Sequence, residues 1–418
     1  KKNYELGKPV KFNTSSNKIY EVKITGQIDK IQISNQGTPK KLISIEQWGA
    51  SKFKDLRSAF WGCENLTISG SINDVPDLSV CRDLTHAFRD CKSLVKIDPA
   101  NKGWNVKSVE SMAYAFTNCY KLNDQAFSKW KPTSVRSFAH MFDNCESLCK
   151  NNGAALDLKE WSPKRAVDLS FMFKNCFNLK LTGIDNWDVS NCFDFAYMFQ
   201  GCRNLNFNPA NWNVSKAVNL TSMFYDCRLD TEDFTNWAPK LKNVKSFENM
   251  FRLNVLFQGK GLDQWFQKEY NYRATNIAGL LSDVTASNPD VSKWDVSKIK
   301  DMRSLFNNCK AFTGKGLDNW DVSKCEDMSY MFRGIGTKGS QSLPDATLEK
   351  WDVSNVRNME YMFYEANNPS VKLEHWKPYQ CVNYKKMFAS NQTMNYNLKN
   401  WVVVRGEIFD RMFENCTA

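Results

Sequence analysis

The stretch Trp187-Asp188-Val189-Ser190-Asn191-Cys192-Phe193-Asp194-Phe195-Ala196-Tyr197-Met198-Phe199-Gln200-Gly201-Cys202 decides the fold, because its landmarks recur along the chain. Taking Trp187 as position zero, Phe199 follows twelve residues later, and the same offset joins Trp104 to Phe116, Trp130 to Phe142, Trp161 to Phe173 and Trp212 to Phe224. It also joins Trp48 to Phe60, Trp294 to Phe306, Trp320 to Phe332, Trp351 to Phe363, Trp376 to Phe388 and Trp401 to Phe413. Pro76 stands in the Trp place of one more unit, ahead of Phe88, and Trp237/Phe251 and Trp265/Leu281 are irregular units with insertions of two and four residues. The chain is therefore read as about fourteen tandem units spaced 25–31 residues apart, close to the period of leucine-rich repeats.

Within a unit, apolar residues follow the Trp at offsets five, eight, eleven and twelve, as in Val356, Met359, Met362 and Phe363 after Trp351. That spacing of three and four predicts one face of a short helix, with the Ser of Asp-Val-Ser as its N-cap. The apolar pair ahead of the next Trp, such as Leu179 and Ile184, predicts a short strand. Such units cannot bury their apolar faces alone, so they must stack. The expected architecture is an α/β solenoid, with a parallel sheet on one side and short helices on the other. Residues 1–42 are expected to form a strand-rich N-terminal cap, because Tyr20 to Ser34 alternates apolar and polar residues. Residues 43–418 form the solenoid, irregular over about 238–293.

Nine cysteines share one repeat position: Cys63, Cys91, Cys119, Cys145, Cys176, Cys202, Cys227, Cys309 and Cys416. Four others, Cys81, Cys192, Cys325 and Cys381, share a second. Stacking would make the first set a structural ladder of buried thiols. The tandem Trp and Phe positions are read as core spines rather than as a ligand box.

Ile45-Glu46-Gln47-Trp48-Gly49, Ala59-Phe60-Trp61-Gly62-Cys63, Pro76-Asp77-Leu78-Ser79 and the recurrent Trp-Asp-Val-Ser…Met-Phe resemble the BspA-like leucine-rich-repeat surface proteins, of the Mycoplasma-lipoprotein type, over residues 20–418. The resemblance implies a right-handed leucine-rich-repeat superhelix, an extracellular or cell-surface location, and a role in adhesion or recognition of another protein or a surface glycan. It carries no catalytic residues, and the cysteine content and the degenerate units between Trp237 and Trp294 depart from the plainest members.

The chemistry of the sequence agrees with a non-enzymatic reading. Three histidines, His86, His140 and His375, offer no evident nucleophile and base pair, no C-x-x-C pair invites zinc, and no glycine-rich phosphate loop occurs. No cofactor or metal is expected. The net charge of +11 comes from bases scattered along the chain, which argues against nucleic acid as the partner. No apolar run is long enough to span a membrane. Six Asn-x-Ser/Thr sequons occur, at Asn13, Asn65, Asn213, Asn219, Asn391 and Asn415.

The candidate interaction site is the break in regularity, where Trp265, Phe266, Tyr270, Tyr272 and Arg273 bring aromatic and basic groups outside the core pattern. The longer loops Lys150–Ala155 and Gly334–Ala346 are weaker candidates. The chain opens on Lys1-Lys2 without an initiator Met, which suggests that a leader or upstream segment has been removed, and stops just past Cys416, inside a unit. An open last repeat would suit self-association or docking into a filament, appendage or virus-like particle coat.

Overall fold

The computed structural model describes residues 21–24, 26–33, 39–150, 154–230, 232–335, 343, 348–366, 371–391 and 396–416. Its units stack as expected, but the local structure of each unit is different. No α-helix occurs among the described residues, and the regular elements are eight short 3-10 turns and four two-residue strands. The strands form two parallel pairs, β1 (Ser44–Ile45) with β2 (Thr67–Ile68) and β3 (Leu156–Asp157) with β4 (Leu181–Thr182). These lie where the strand of a unit was expected. The remaining parallel contacts are mostly single bridges inside the segment expected as helix, in an unbroken series from Asp83 through Ser111, Ser137, Asp168, Asp194 and onward to Ile408.

The segment expected as helix is a run of tight turns. In the unit around Phe88, the amides of Leu84, His86, Phe88 and Asp90 donate to the carbonyls of Ser111, Ala113, Ala115 and Thr117 in the next unit, at 2.8–3.0 Å. The amides between them close local turns, Ala87 on Leu84 at 3.0 Å and Cys91 on Phe88 at 3.1 Å. A helix would spend every amide on its own turn; here alternate amides point along the solenoid axis and tie one unit to the next. Closing such turns requires a left-handed residue at the third place, and His86 (φ 57°) and Asp90 (φ 62°) supply it. The same two places carry positive φ in nearly every unit, for example Tyr114 and Asn118, His140 and Asn144, and Tyr330 and Gly334. Left-handed residues four apart bring apolar side chains inward at spacings of three and four, and that is why the sequence imitates a helix.

The cap assigned to Ser in Asp-Val-Ser also changes hands. Asp188 accepts from both the amide and the hydroxyl of Ser190, at 3.1 and 2.6 Å, and Asp295 treats Ser297 identically. The acceptor is thus the carboxylate, in an Asx turn, and the serine donates. A second set of short acceptors sits five residues before the Phe position, which in one unit is Leu281. Asp83, Asp168, Asp194, Asn219, Asn276, Asp301, Asp327, Asn358 and Asn383 each accept the amide two residues ahead, at 2.7–3.1 Å.

Of the lead-in expected as a strand-rich cap, the described residues form no strand. Lys30 makes one parallel bridge to Asp55, and the Ile33 amide donates to the Ala59 carbonyl at 2.6 Å. These are the bonds that join successive units, so the lead-in behaves as a partial unit laid on the first, with Ile28 and Ile31 packed on the core. At the other end Val402, Val404, Phe409 and Phe413 are exposed. The interiors of the loops Lys150–Ala155 and Gly334–Ala346 fall largely outside the described residues.

Candidate functional site

The interior is a set of parallel columns. Phe rings stack from Phe60 through Phe88, Phe116, Phe142, Phe173, Phe199 and Phe224 to Phe251 with centroids 5.0–6.1 Å apart. Beside them runs the Trp column, in which Trp187, Trp212, Trp237 and Trp265 each donate the indole N–H to a carbonyl of the preceding unit: Leu158, Ile184, Pro209 and Phe234. Each acceptor lies three residues ahead of the preceding unit's own Trp. The indole therefore reports register as well as filling space.

The nine cysteines of the main repeat position form a third column. Cys91, Cys119, Cys145, Cys176, Cys202 and Cys227 each direct Sγ at the carbonyl of the Phe one unit back, at 2.9–3.3 Å, and Cys309 and Cys416 do the same to Leu281 and Phe388 at 2.9 Å. Cys63 lies 3.9 Å from the Ile33 carbonyl. Thiols serve here as small donors that fit a crowded seam. None of the cysteines is in a disulfide, and all except Cys416 are buried. Burial pushes the Cys63 thiol up to about 12 and that of Cys381 to about 11, and raises Cys145, Cys176, Cys202 and Cys227 well above the free value. Thiolate is the reactive form, so iodoacetamide at pH 8 should label Cys416 first in the native protein, and the remaining thiols only after denaturation. Rapid native labelling of several column cysteines, read by peptide mass spectrometry, would contradict this arrangement.

The first left-handed column, from His86 to Tyr197, faces outward and builds a surface, with Trp61 stacked on its end. Trp61, His86, Tyr114, His140, Phe171 and Tyr197 stack in one line, with centroids 5.2, 4.7, 4.4, 4.1 and 4.5 Å apart and planes within 24° of parallel. All six are half-buried. Arg89 lies over the rings of Trp61 and Tyr114, and Lys174 over Phe171 and Tyr197. A shorter pair, Tyr330 and Tyr361, stacks at 4.8 Å further along. Next to the six-ring line runs an amide ladder, Asn175 to Asn144 to Asn118 to Asp90, each Nδ2 donating one unit back at 2.7–2.8 Å. Positive φ is costly for an aromatic residue; mutual stacking, worth about 0.5–1.5 kcal/mol per pair beyond burial, offsets that cost.

His86 and His140 thus belong to a ring stack. Burial lowers the His86 pKa, and His140 Nδ1 lies 2.8 Å from Asp143 Oδ2. The five candidate residues of the irregular region do not form one exposed face. Trp265, Phe266 and Tyr272 are buried, Trp265 continuing the Trp column and Tyr272 donating its hydroxyl to the Ala238 carbonyl at 2.7 Å. Phe266 packs on Trp294 with centroids 4.9 Å apart. Tyr270 is half-buried and Arg273 exposed. The inserted residues build a local core, because extra chain folded over the column must bury its own apolar groups. The sequon residue Asn391 is likewise buried. His375, which has no evident partner in the sequence, lies 3.2 Å from Glu349 and 3.6 Å from Glu374.

No helix among the described residues is long and apolar enough to cross a membrane. No curated protein matches the chain. Among solved structures, it is similar to a leucine-rich repeat protein from Bacteroides ovatus ATCC 8483, at 14% identity over 91% of this chain and 97% of that one, with a TM-score of 0.28. It is also similar to TLR13 in a complex with ssRNA13, at 14% identity and a TM-score of 0.21, over 69% of this chain but only 47% of the TLR13 chain. Both overlays are too loose to transfer anything to this protein. The family model described as "Mycoplasma protein of unknown function, DUF285" matches residues 32–155, 147–265, 275–340 and 337–418 in turn, which together take in most of the solenoid, and the chain belongs to that family.

Proposed function

We propose that this chain is an exported or cell-surface recognition protein, not an enzyme, and that it binds another protein or a surface glycan along the flank carrying the six-ring ladder. The ladder itself supports the reading most directly. Its rings spend their faces on one another and offer their edges, which are the positive rim of the aromatic quadrupole. Arg89 and Lys174 add cationic charge along the same line, and the chain as a whole carries +11. Such a strip suits a partner rich in carboxylates or sulfates, since aromatic and Arg side chains are the groups that anchor interfaces.

The test is binding of the purified chain to an array of neutral, sialylated and sulfated glycans and to a panel of immobilised extracellular proteins. Saturable binding to an acidic member is expected. It should weaken at least tenfold in the combined variant His86→Asn, Tyr114→Asn and His140→Asn, because Asn tolerates the left-handed backbone and removes only the rings. No saturable binding, or binding unchanged in the variant, would overturn the proposal. Protease treatment of intact producing cells tests the location: the protein should be degraded while cytosolic markers survive.

A further inference from the structure

The geometry points to a divalent transition-metal site formed by Glu349, Glu374 and His375 on two adjacent units, with Zn2+ as the best-fitting ion. The site is built from the backbone outward. Leu348 to Trp351 and Leu373 to Trp376 are tight turns, each closed by the Trp amide on the Leu carbonyl at 3.1 Å. Leu348 and Leu373 are fully buried, and their carbonyls also receive the indole N–H of Trp376 and Trp401, at 2.8 and 2.7 Å. Two turn tips are thereby pinned one above the other on the solenoid. Glu349 and Glu374 occupy the same place in the two turns, and His375 follows in the second.

Ligand distances fit a small coordination sphere. Ligand atoms about 2.1 Å from Zn2+ at tetrahedral angles lie roughly 3.4 Å apart. His375 Nε2 is 3.2 Å from Glu349 Oε1 and 3.6 Å from Glu374 Oε1, and the three ligand atoms all fall within 4.8 Å of one another. A fourth position is left for water. One imidazole nitrogen with two carboxylate oxygens favours a first-row ion such as Zn2+ over Mg2+ or Ca2+, which prefer all-oxygen shells.

Basic and amide partners complete the surroundings of the cluster. Among the described residues, no Lys or Arg lies within ion-pair distance of Glu349 or Glu374, and His375 is the basic partner of both. Glu374 is also held from behind: its second oxygen accepts from Asn397 Nδ2 of the following unit at 3.2 Å, the kind of support that orients a metal ligand.

Calorimetric titration of ZnCl2 into the full chain tests the site, with thermal denaturation read in parallel. Binding of one Zn2+ is expected, weakened at least tenfold in H375A and in E349Q and several-fold in Asn397→Ala, with a Zn2+-dependent rise in Tm that H375A abolishes. The ligands are on the surface, so both variants should fold, and their metal-free Tm checks that. Unchanged Zn2+ affinity in H375A and E349Q would overturn the proposal, as would an absence of saturable binding to the unaltered chain. A lower metal-free Tm in H375A, with no response of the unaltered chain to Zn2+, would show a plain ion pair and overturn it equally.

Discussion

Trp212→Ala should destabilise the protein by about 3–5 kcal/mol, the range for truncating a large buried aromatic side chain. Trp212 is fully buried, lies parallel to Trp187 at 6.3 Å, touches Phe207 at 5.5 Å and donates to the Ile184 carbonyl at 2.8 Å. The loss should be spatially confined, because each unit of a solenoid contacts only its neighbours. Hydrogen exchange should therefore quicken around Ile184 to Trp237 while amides near Trp351 keep their protection. A milder pair of substitutions separates the hydrogen bond from the volume. The Trp104 indole N–H is buried without a protein acceptor, and the carbonyl in the corresponding place, that of Asn73, accepts from Lys102 Nζ. Trp212→Phe should therefore cost about 1 kcal/mol more than Trp104→Phe, measured by denaturant midpoints. Equal costs, or the reverse order, would show that the indole bond contributes nothing to register.

The Trp and Phe positions were legible in the sequence because a twelve-residue offset repeated along a chain is a statement about packing, and packing is what places them. The turn run was not read correctly, since periodicity alone cannot separate a helix from left-handed turns four residues apart. A discriminating signal was nevertheless present just ahead of the Cys position. Gly62, Asp90, Asn118, Asn144, Asn175, Gly201, Asp226, Asp283, Asn308 and Gly334 all occupy that place with positive φ. Gly, Asn and Asp are the residues that tolerate the left-handed region, and a helix would have little reason to repeat them there. The companion place misleads, because Tyr114, Phe171 and Tyr197 adopt positive φ against their intrinsic preference. Only the stacking between units explains them, and that information is non-local. The same limit applies to the candidate site. Aromatic residues in an irregular region look like a binding surface in sequence, yet burial of Trp265, Phe266 and Tyr272 follows from where the inserted chain folds back. The alignment of His86, Tyr114 and His140 into one ladder becomes visible only once the unit's outward positions are known, and so does the meeting of His375 with Glu349.

Asn254→Ala should cost about 2–5 kcal/mol, the penalty for stranding two buried backbone groups at once. Asn254 occupies the Cys place of its unit and is fully buried. Its Nδ2 donates to the Phe224 carbonyl at 2.6 Å, the bond that Cys227 Sγ makes to Phe199 at 2.9 Å one unit earlier, and to the Phe251 carbonyl at 2.9 Å. Its Oδ1 accepts the Leu229 amide at 2.9 Å, which no thiol of the column could do. The side chain thus performs the column's usual task and one more that its own unit requires. Asn254→Cys should consequently be intermediate, restoring a donor for Phe224 while leaving the Leu229 amide unpaired, and the order of stability should be unaltered chain, then Asn254→Cys, then Asn254→Ala. Asn254→Asp distinguishes the two bonds. A buried carboxyl keeps its proton more tightly than in the unfolded chain, and only the protonated form both accepts from Leu229 and donates to Phe224. Its stability should be greatest below the unfolded carboxyl pKa and fall as pH rises, opposite to the usual behaviour of a paired aspartate. Urea denaturation at pH 5 and pH 8 reads the sign, and an Asn254→Asp variant that is more stable at pH 8 would show that the donor to Phe224 is dispensable and that the cysteine column holds its units by packing alone.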